Sequence, residues 1–319
     1  MNSKISNAID MRDAFFSVIK KEAEKNENII IITNDMEVFA LNEFKKKYPN
    51  RYIDVGVAEQ NMINIAAGIA STGKTVVVFG ILPFIIFRCF EQIKMNICSM
   101  NLPIIIAGIG TGSSFSYDGP THHGTSDLAT ARSLPEISIL SPSDPGTAAI
   151  AARLALDSKG PVYCRIDKGT YTEYTNRTDK FILKNGWVEI IKKQNVNVLS
   201  NGFMLSNCYK AISQLNTKNI NIGLIDILKI KPITSEKLIE AIKYSKCIIT
   251  IEENSLDGGI GSIISEIISD YSLDTKLIRL GIKNEQVMKY GSRKSILEYY
   301  GLSNKAIKRT LSLAFKKYN

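Results

Sequence analysis

Asp54-Val-Gly-Val-Ala-Glu-Gln-Asn61 sets a polar cluster around one carboxylate, Glu59, between two apolar stretches. Upstream, Arg51-Tyr-Ile-Asp-Val55 reads as a short strand that ends at Gly56. Downstream, Met62-Ile-Asn-Ile-Ala-Ala-Gly-Ile-Ala70 reads as a helix that is apolar almost all round and therefore buried. A glutamate at such a strand-to-helix switch is not freely solvated, and burial raises a carboxyl pKa unless partners compensate. Two readings follow from the residues alone. Glu59 is either a proton-handling group or a carboxylate that favours a helix N-terminus through the macrodipole.

The same alternation extends in both directions. Asp10 or Ser6 is placed to cap a helix over residues 11–20, followed by the fully apolar strand Asn28-Ile-Ile-Ile-Ile-Thr33 and a turn at Asn34-Asp35-Met36. Strand 51–55, helix 60–71, strand 75–79, helix 84–98 and strand 103–107 come next. Continuous Ile and Val strands alternating with helices predict a parallel sheet covered on both faces. Ligands gather at the carboxyl ends of such strands, where Asp35, Glu59 and the glycine-rich stretch after Ala107 all fall. Helices at 126–133 and 145–156 and strands at 137–140 and 161–166 complete a first domain, residues 1–170. Residues 171–185 are polar and turn-rich and read as a linker. A second alternating unit, residues 186–319, has strands near 196–199, 220–226 and 247–252 and helices near 204–215, 234–244 and 259–269. The fold class is α/β: two three-layer α/β/α domains with mainly parallel sheets.

Residues Gly108 to Thr125 form a long loop inside a compact domain, and loops of that kind are usually functional or disordered. Its contents argue for function: His122 and His123 are the only histidines of the chain and lie close to Asp118. Adjacent histidines do not easily reach one ion and no third ligand has suitable spacing, so no metal site is expected in this chain. Gly258-Gly-Ile-Gly-Ser262 lacks the full dinucleotide-binding spacing and a P-loop lysine, which favours close backbone packing over a phosphate cradle.

At 319 residues the chain is long enough for two domains with cores of their own. Lys and Arg number 40 against 31 Asp and Glu, a net charge of +9. The basic residues are mostly dispersed lysines with no aromatic interleaving, so a solvated surface is expected rather than a nucleic-acid interface. The five cysteines have no metal-like spacing and several sit in apolar runs, as small buried residues do. No signal-peptide core opens the sequence, and the apolar run from Thr75 to Phe87 falls short of the roughly 20 residues of a membrane span. The expected location is the cytoplasm.

With Asp54-Val-Gly-Val-Ala-Glu-Gln-Asn61, Asp118-Gly-Pro-Thr-His-His-Gly124 and Glu252-Glu-Asn-Ser-Leu-Asp-Gly-Gly-Ile-Gly261 all in view, the chain resembles the transketolase family over nearly its whole length. More narrowly, it is similar to the C-terminal subunit of a split transketolase, which carries a pyrimidine-binding domain and a C-terminal domain. The resemblance implies thiamine diphosphate as cofactor and transfer of a two-carbon ketol unit from a ketose to an aldose. It implies that Glu59 bonds the pyrimidine N1′, favouring the imino tautomer in which the aminopyrimidine accepts the C2 proton. It also implies that Phe84 stacks on the aminopyrimidine with Phe87 as its neighbour, and that Asp35 lies near the thiazolium of the other subunit. His122 would stand near the reacting carbon, and Asp118 would read the C2 hydroxyl of the substrate. His123 is assigned with equal weight to catalysis or to support behind His122. Arg88 would receive a substrate anion or pair with Glu91 or Gln92 on its own helix.

Two positions depart from the pattern. Gly110 stands where transketolases usually have a substrate-binding histidine, and Ser141 where they have an arginine for the sugar phosphate. Serine cannot reproduce the bidentate grip of arginine, which points to an atypical sugar, such as a branched, deoxy or nucleotide-linked one. No Gly-Asp-Gly followed by a distant Asn occurs, so the diphosphate site, with its Mg2+ or Ca2+, is expected on a separate N-terminal subunit in an α2β2 assembly. The alternatives are a deoxyxylulose-phosphate-synthase-like or 2-oxo-acid-decarboxylating subunit, and a non-catalytic regulatory paralogue.

Overall fold

In a computed structural model of the chain, which describes residues 9–174, 179–192, 194–217, 219–233 and 235–319, Asp10 caps helix α1 (Met11–Ala23). Its carboxylate accepts from the Arg12 amide at 2.8 Å and pairs with the Arg12 guanidinium at 3.0 Å. Ser6, the alternative cap, lies outside the described residues, as do residues 175–178 of the expected linker. The chain divides into two compact units, Met1–Thr111 with Thr130–Glu173, and Gly112–Ala129 with Tyr174–Asn319.

In the first unit the main sheet has strands β1 (Ile29–Thr33), β2 (Tyr52–Asp54), β3 (Thr75–Ile81), β4 (Ile104–Ile109), β5 (Ser138–Leu140) and β6 (Val162–Ile166). They run parallel in the order β5-β6-β4-β3-β1-β2. Every residue of β1, β4 and β6 is buried, as expected of strands covered on both faces. Thr33 pairs with Asp54 on one side and Phe79 on the other, which brings the carboxyl ends of β1, β2 and β3 level.

Two elements differ from the sequence expectation. Helix α2 (Glu59–Ser71) buries Met62, Ile63, Ala66, Ala67 and Ala70, but Gln60, Asn61, Asn64 and Gly68 are exposed. Their spacing of three to four residues puts polar and small positions on one stripe, so the helix is buried on one face rather than all round. The helix expected over 84–98 is broken. Helix α3 (Leu82–Ile86), with Pro83 in its first turn, ends before a turn at Phe87–Cys89, and Ile93–Cys98 is a π-helical segment. Helix α4 (Pro145–Leu156) begins at a capping box in which Asp144 and Thr147 bond each other reciprocally.

The second unit has strands β7 (Trp187–Ile191), β8 (Val196–Ser200), β9 (Gly223–Ile227), β10 (Cys247–Ser255) and β11 (Lys276–Ile282) in the order β11-β10-β8-β9-β7. Among the described residues of this sheet, only the β9–β7 pairing is antiparallel. The unit also holds helices α5 (Phe203–Asn216), α6 (Ser235–Ile242), α7 (Ile260–Asp270), α8 (Arg293–Tyr299) and α9 (Asn304–Tyr318), and a short helix at Asp179–Asn185 lies within the stretch expected as a linker. Val196, Val198, Ile249 and Ile251 of the sheet join Ile212 of α5 and Leu311 of α9 in one buried cluster. All five cysteines are buried, and none forms a disulfide. Among the described residues no helix is long and apolar enough to cross a membrane.

The glycines at 258–261 serve packing. The Glu252 carboxylate accepts from the amides of Ile260 and Gly261, both at 2.9 Å, and so fills the N-terminus of α7 itself. A Cβ on Gly259 would lie 1.9 Å from Glu252 Oε2. Replacing Gly259 with Ala is therefore expected to destabilise the chain by about 1–3 kcal/mol or more in urea unfolding. Gly68→Ala, on the exposed face of α2 with nothing near the added carbon, is expected to stabilise it by about 0.5–1 kcal/mol.

Candidate active site

Gly56, with φ of 70°, turns the chain out of β2 towards α2. The turn is fixed by Asp54, whose Oδ1 accepts from the amides of Gly56 at 3.0 Å and Asp35 at 2.9 Å. One carboxylate thus ties the ends of β1 and β2 together, and Asp35, itself at φ 58°, is exposed beside it. Glu59 then enters at the first position of α2 with 3 % of its surface exposed. Its Oε1 accepts from Asn34 Nδ2 at 3.0 Å, and its Oε2 from Arg88 Nη1 at 2.6 Å.

Arg88 sits in the turn that breaks the 84–98 segment. Because the helix does not run through, its side chain meets Glu59 of α2 instead of Glu91 or Gln92 on its own segment. Gln60 Nε2 donates to the Arg88 carbonyl at 3.2 Å, and the guanidinium lies 4.8 Å over the Phe84 ring. Phe84 is half-buried, whereas Phe87 is 38 % exposed. Burial, reinforced by the charge of Glu59, pushes the Cys89 thiol up to about 12, so no thiolate competes here near neutral pH. Val57, Ala58, Glu59, Gln60, Asn61, Asn64 and Arg88 line a shallow cleft of about 460 Å³. Sequence reasoning missed Asn34 and the reason for Gly80, where a Cβ would lie 2.5 Å from Asn34 Oδ1. The one available signal is an asparagine at a strand end next to Asp35.

In the second unit the histidine loop is closed by Gly112 and Gly124, which exchange backbone hydrogen bonds at 2.9 and 2.8 Å. Asp118 is exposed, and His122 is half-buried with Nδ1 3.0 Å from Thr121 Oγ1. His123 is 2 % exposed and points inward, and neither ring nitrogen has a close hydrogen-bond partner among the described residues. Burial pushes its pKa down against the charge of Glu253 and the facing carbonyls of Phe115 and Val287. Glu253 anchors the loop by accepting from the Ser113 amide at 3.1 Å and from the Ser113 hydroxyl. Arg293 Nε in turn bonds both Glu253 oxygens, at 3.1 and 3.0 Å, and its guanidinium stacks 3.8 Å over Phe203. This anchor also escaped the sequence reading: Glu253 lies within the Glu252–Gly261 motif, but its partner Arg293 is 40 residues further on and carries no motif of its own. Gly110, with φ of 99°, donates its amide to Ile166 at 2.8 Å. Ser141 is fully buried and accepts from Arg165 Nη1 at 3.2 Å, so an arginine adjoins the position at which the sequence lacks one.

Two family models match the chain: the transketolase pyrimidine binding domain over residues 7–173 and the transketolase C-terminal domain over residues 186–307. The chain belongs to the transketolase family. One of the subunits of an apulose-4-phosphate transketolase from Phocaeicola vulgatus is 30% identical over 314 residues, covering 98% of this chain and 99% of that protein. Its counterpart from Actinobacillus succinogenes is 29% identical over 298 residues, 93% and 94% of the two chains. A 1-deoxy-D-xylulose-5-phosphate synthase from Carboxydothermus hydrogenoformans is 32% identical over 301 residues, but this chain spans only 48% of its length. Among solved structures, a split-gene transketolase described as an inactive beta4 tetramer superimposes with a TM-score of 0.86 at 26% identity, covering 98% of this chain and all of that one. Within the family, the chain is thus a C-terminal subunit of the split kind.

The setting of His123 predicts an acid-sensitive second unit. Its folded-state pKa lies below its unfolded value of about 6.5, so its contribution to stability is complete above that pH and is lost as the pH falls from there through the folded value. His123→Gln is expected to flatten the fall of the melting temperature below about pH 6.5, measured by calorimetry across pH 5 to 8. An unchanged pH slope would contradict the assignment.

Proposed function

We propose that the chain is the pyrimidine-domain subunit of a thiamine-diphosphate-dependent transketolase that moves a two-carbon ketol unit from a ketose to an aldose. The observation that carries the reading is Glu59, a carboxylate shielded from water at the carboxyl edge of a parallel sheet, held from behind by Asn34 and facing a cleft. These residues fit the pyrimidine half of the cofactor: an acceptor oxygen for a ring N–H, an aromatic face at Phe84 and a buried second donor that fixes the carboxylate. The sequence has no Gly-Asp-Gly motif for the diphosphate half, which supports a separate chain that holds that site and its Mg2+. The proposed division is a pyrimidine-binding domain at residues 1–170, a linker at 171–185 and a C-terminal domain at 186–319. The proposed assembly is a cytoplasmic α2β2 heterotetramer.

Thiamine diphosphate, when bound, supplies the carbon nucleophile and the electron sink for cleavage of the C–C bond. Glu59 would hold the proton at N1′, and Phe84, with Phe87 beside it, would pack against the pyrimidine. Asp35 would lie towards the thiazolium held with the other subunit. Asp118 would accept from the substrate C2 hydroxyl, His122 would exchange a proton near the reacting carbon, and His123 would support the loop from inside. Arg88 would meet an anionic group of the substrate. An atypical sugar remains the proposal for the substrate, in keeping with two relatives named for apulose 4-phosphate.

The test is reconstitution. Mixed with the chain that carries the diphosphate-binding domain, the protein is expected to bind thiamine diphosphate with Mg2+ and to transfer ketol units, whereas neither chain alone turns over. Xylulose 5-phosphate and ribose 5-phosphate are expected to be poor substrates. Turnover by this chain alone would overturn the reading, and release of carbon dioxide from pyruvate would move it to the decarboxylating branch.

A further inference from the structure

Glu59 is held on two sides by groups of different character. On the inner side Asn34 is buried, and its amide is confined by Gly80, where even one added carbon would collide with Oδ1 at 2.5 Å. Asn34 Oδ1 has no hydrogen-bond partner among the described residues, and the opposite amide orientation would set oxygen against a carboxylate oxygen. The orientation that leaves a buried acceptor unpaired is therefore retained for the sake of Glu59 Oε1.

The outer side is different. The Arg88 side chain is 47 % exposed, and it can leave Glu59, and the Phe84 ring it lies over, while keeping water on its guanidinium. Its backbone stays in place through the bond from Gln60 to its carbonyl. Glu59 has no such freedom, because a buried carboxylate stripped of its cation is strongly disfavoured unless another donor arrives. The oxygen that Arg88 holds, Oε2, is the one not committed to Asn34, and so it is the one left to meet a pyrimidine edge. Oε2 has lone pairs for more than one donor, so the competition is for place: the half-exposed guanidinium lines the same cleft and stands on the solvent side of Oε2, where an incoming pyrimidine N–H would have to approach.

We propose that Glu59 sits in a clamp with one permanent jaw, Asn34, which positions the carboxylate, and one exchangeable jaw, Arg88, which occupies Oε2 until the aminopyrimidine edge of the cofactor replaces it. The proposal rests on the functional reading above and adds two roles to it. Asn34 becomes a positioning residue for Glu59, and Arg88 becomes a competitor of the cofactor that keeps the free subunit's carboxylate paired.

The experiment uses the complex with the diphosphate-binding subunit, titrated with thiamine diphosphate at constant Mg2+ by calorimetry, with melting curves of each variant to confirm folding. Arg88→Gln is expected to bind the cofactor about two- to fivefold more tightly than wild type, the size of a half-exposed ion pair, while Arg88→Lys stays near wild type. Asn34→Ala and Asn34→Ser, at saturating cofactor, are expected to slow C2 proton exchange, followed by NMR, by about ten- to a hundredfold. Binding by Arg88→Gln that is weaker than or equal to wild type would overturn the exchangeable jaw, and wild-type exchange in both Asn34 variants would overturn the permanent one. Absence of cofactor binding by the wild-type complex would instead bring down the functional reading, and the clamp with it.

Discussion

A carboxylate held out of water must have its partners built around it, and much of the first unit is arranged by that demand at Glu59. The level carboxyl ends of β1, β2 and β3 place Asn34 and the entry to α2 side by side. Gly80 leaves the Asn34 amide the space it needs, and Gly56 makes the turn that brings Glu59 to the first position of the helix. The break after α3 matters as much as the sheet. A continuous helix would carry Arg88 along its own surface, whereas the turn delivers its guanidinium to Oε2.

The second unit repeats the principle with two adjacent carboxylates at the end of β10. Glu252 turns inward to the amides that open α7, which is why Gly259 can carry no side chain. Glu253 turns to Ser113 and Arg293 and so fastens the loop that presents Asp118 and His122. A Cβ on Gly112 would lie 2.4 Å from the Glu253 carboxyl carbon, so the glycine closing that loop is fixed by the same anchor. The loop that carries Asp118 and His122, for which chemistry is proposed, is thus held by the Glu253–Arg293 ion pair and by backbone contacts.

Much of this was legible in the sequence because its signals are local. Runs such as Ile29–Ile32 and Ile104–Ile106 declare buried parallel strands, and the central carboxylate Glu59 within Asp54–Asn61 declares the switch between strand and helix. The one-sided burial of α2 was also encoded, in the spacing of Asn61, Asn64 and Gly68, but the apolar character of the surrounding residues masks it. What could not be read were the long-range partners. Asn34 with Glu59, Arg88 with Glu59 and Arg293 with Glu253 are separated by 25, 29 and 40 residues, and only the folded register brings each pair together. The break at Arg88 was hidden for a related reason: the residues at 84–98 keep a helical pattern, and the π-helical segment that follows the break has no sequence signature.

The central claim is that Glu59 governs the protonation of a bound aminopyrimidine and with it the removal of the C2 proton. The direct measurement is the rate of C2 hydrogen–deuterium exchange in the assembled complex loaded with thiamine diphosphate, for wild type and Glu59→Gln. The account predicts exchange slower by about 10²- to 10⁴-fold with assembly and melting behaviour retained. Exchange near the wild-type rate in a fully loaded, folded variant would contradict it.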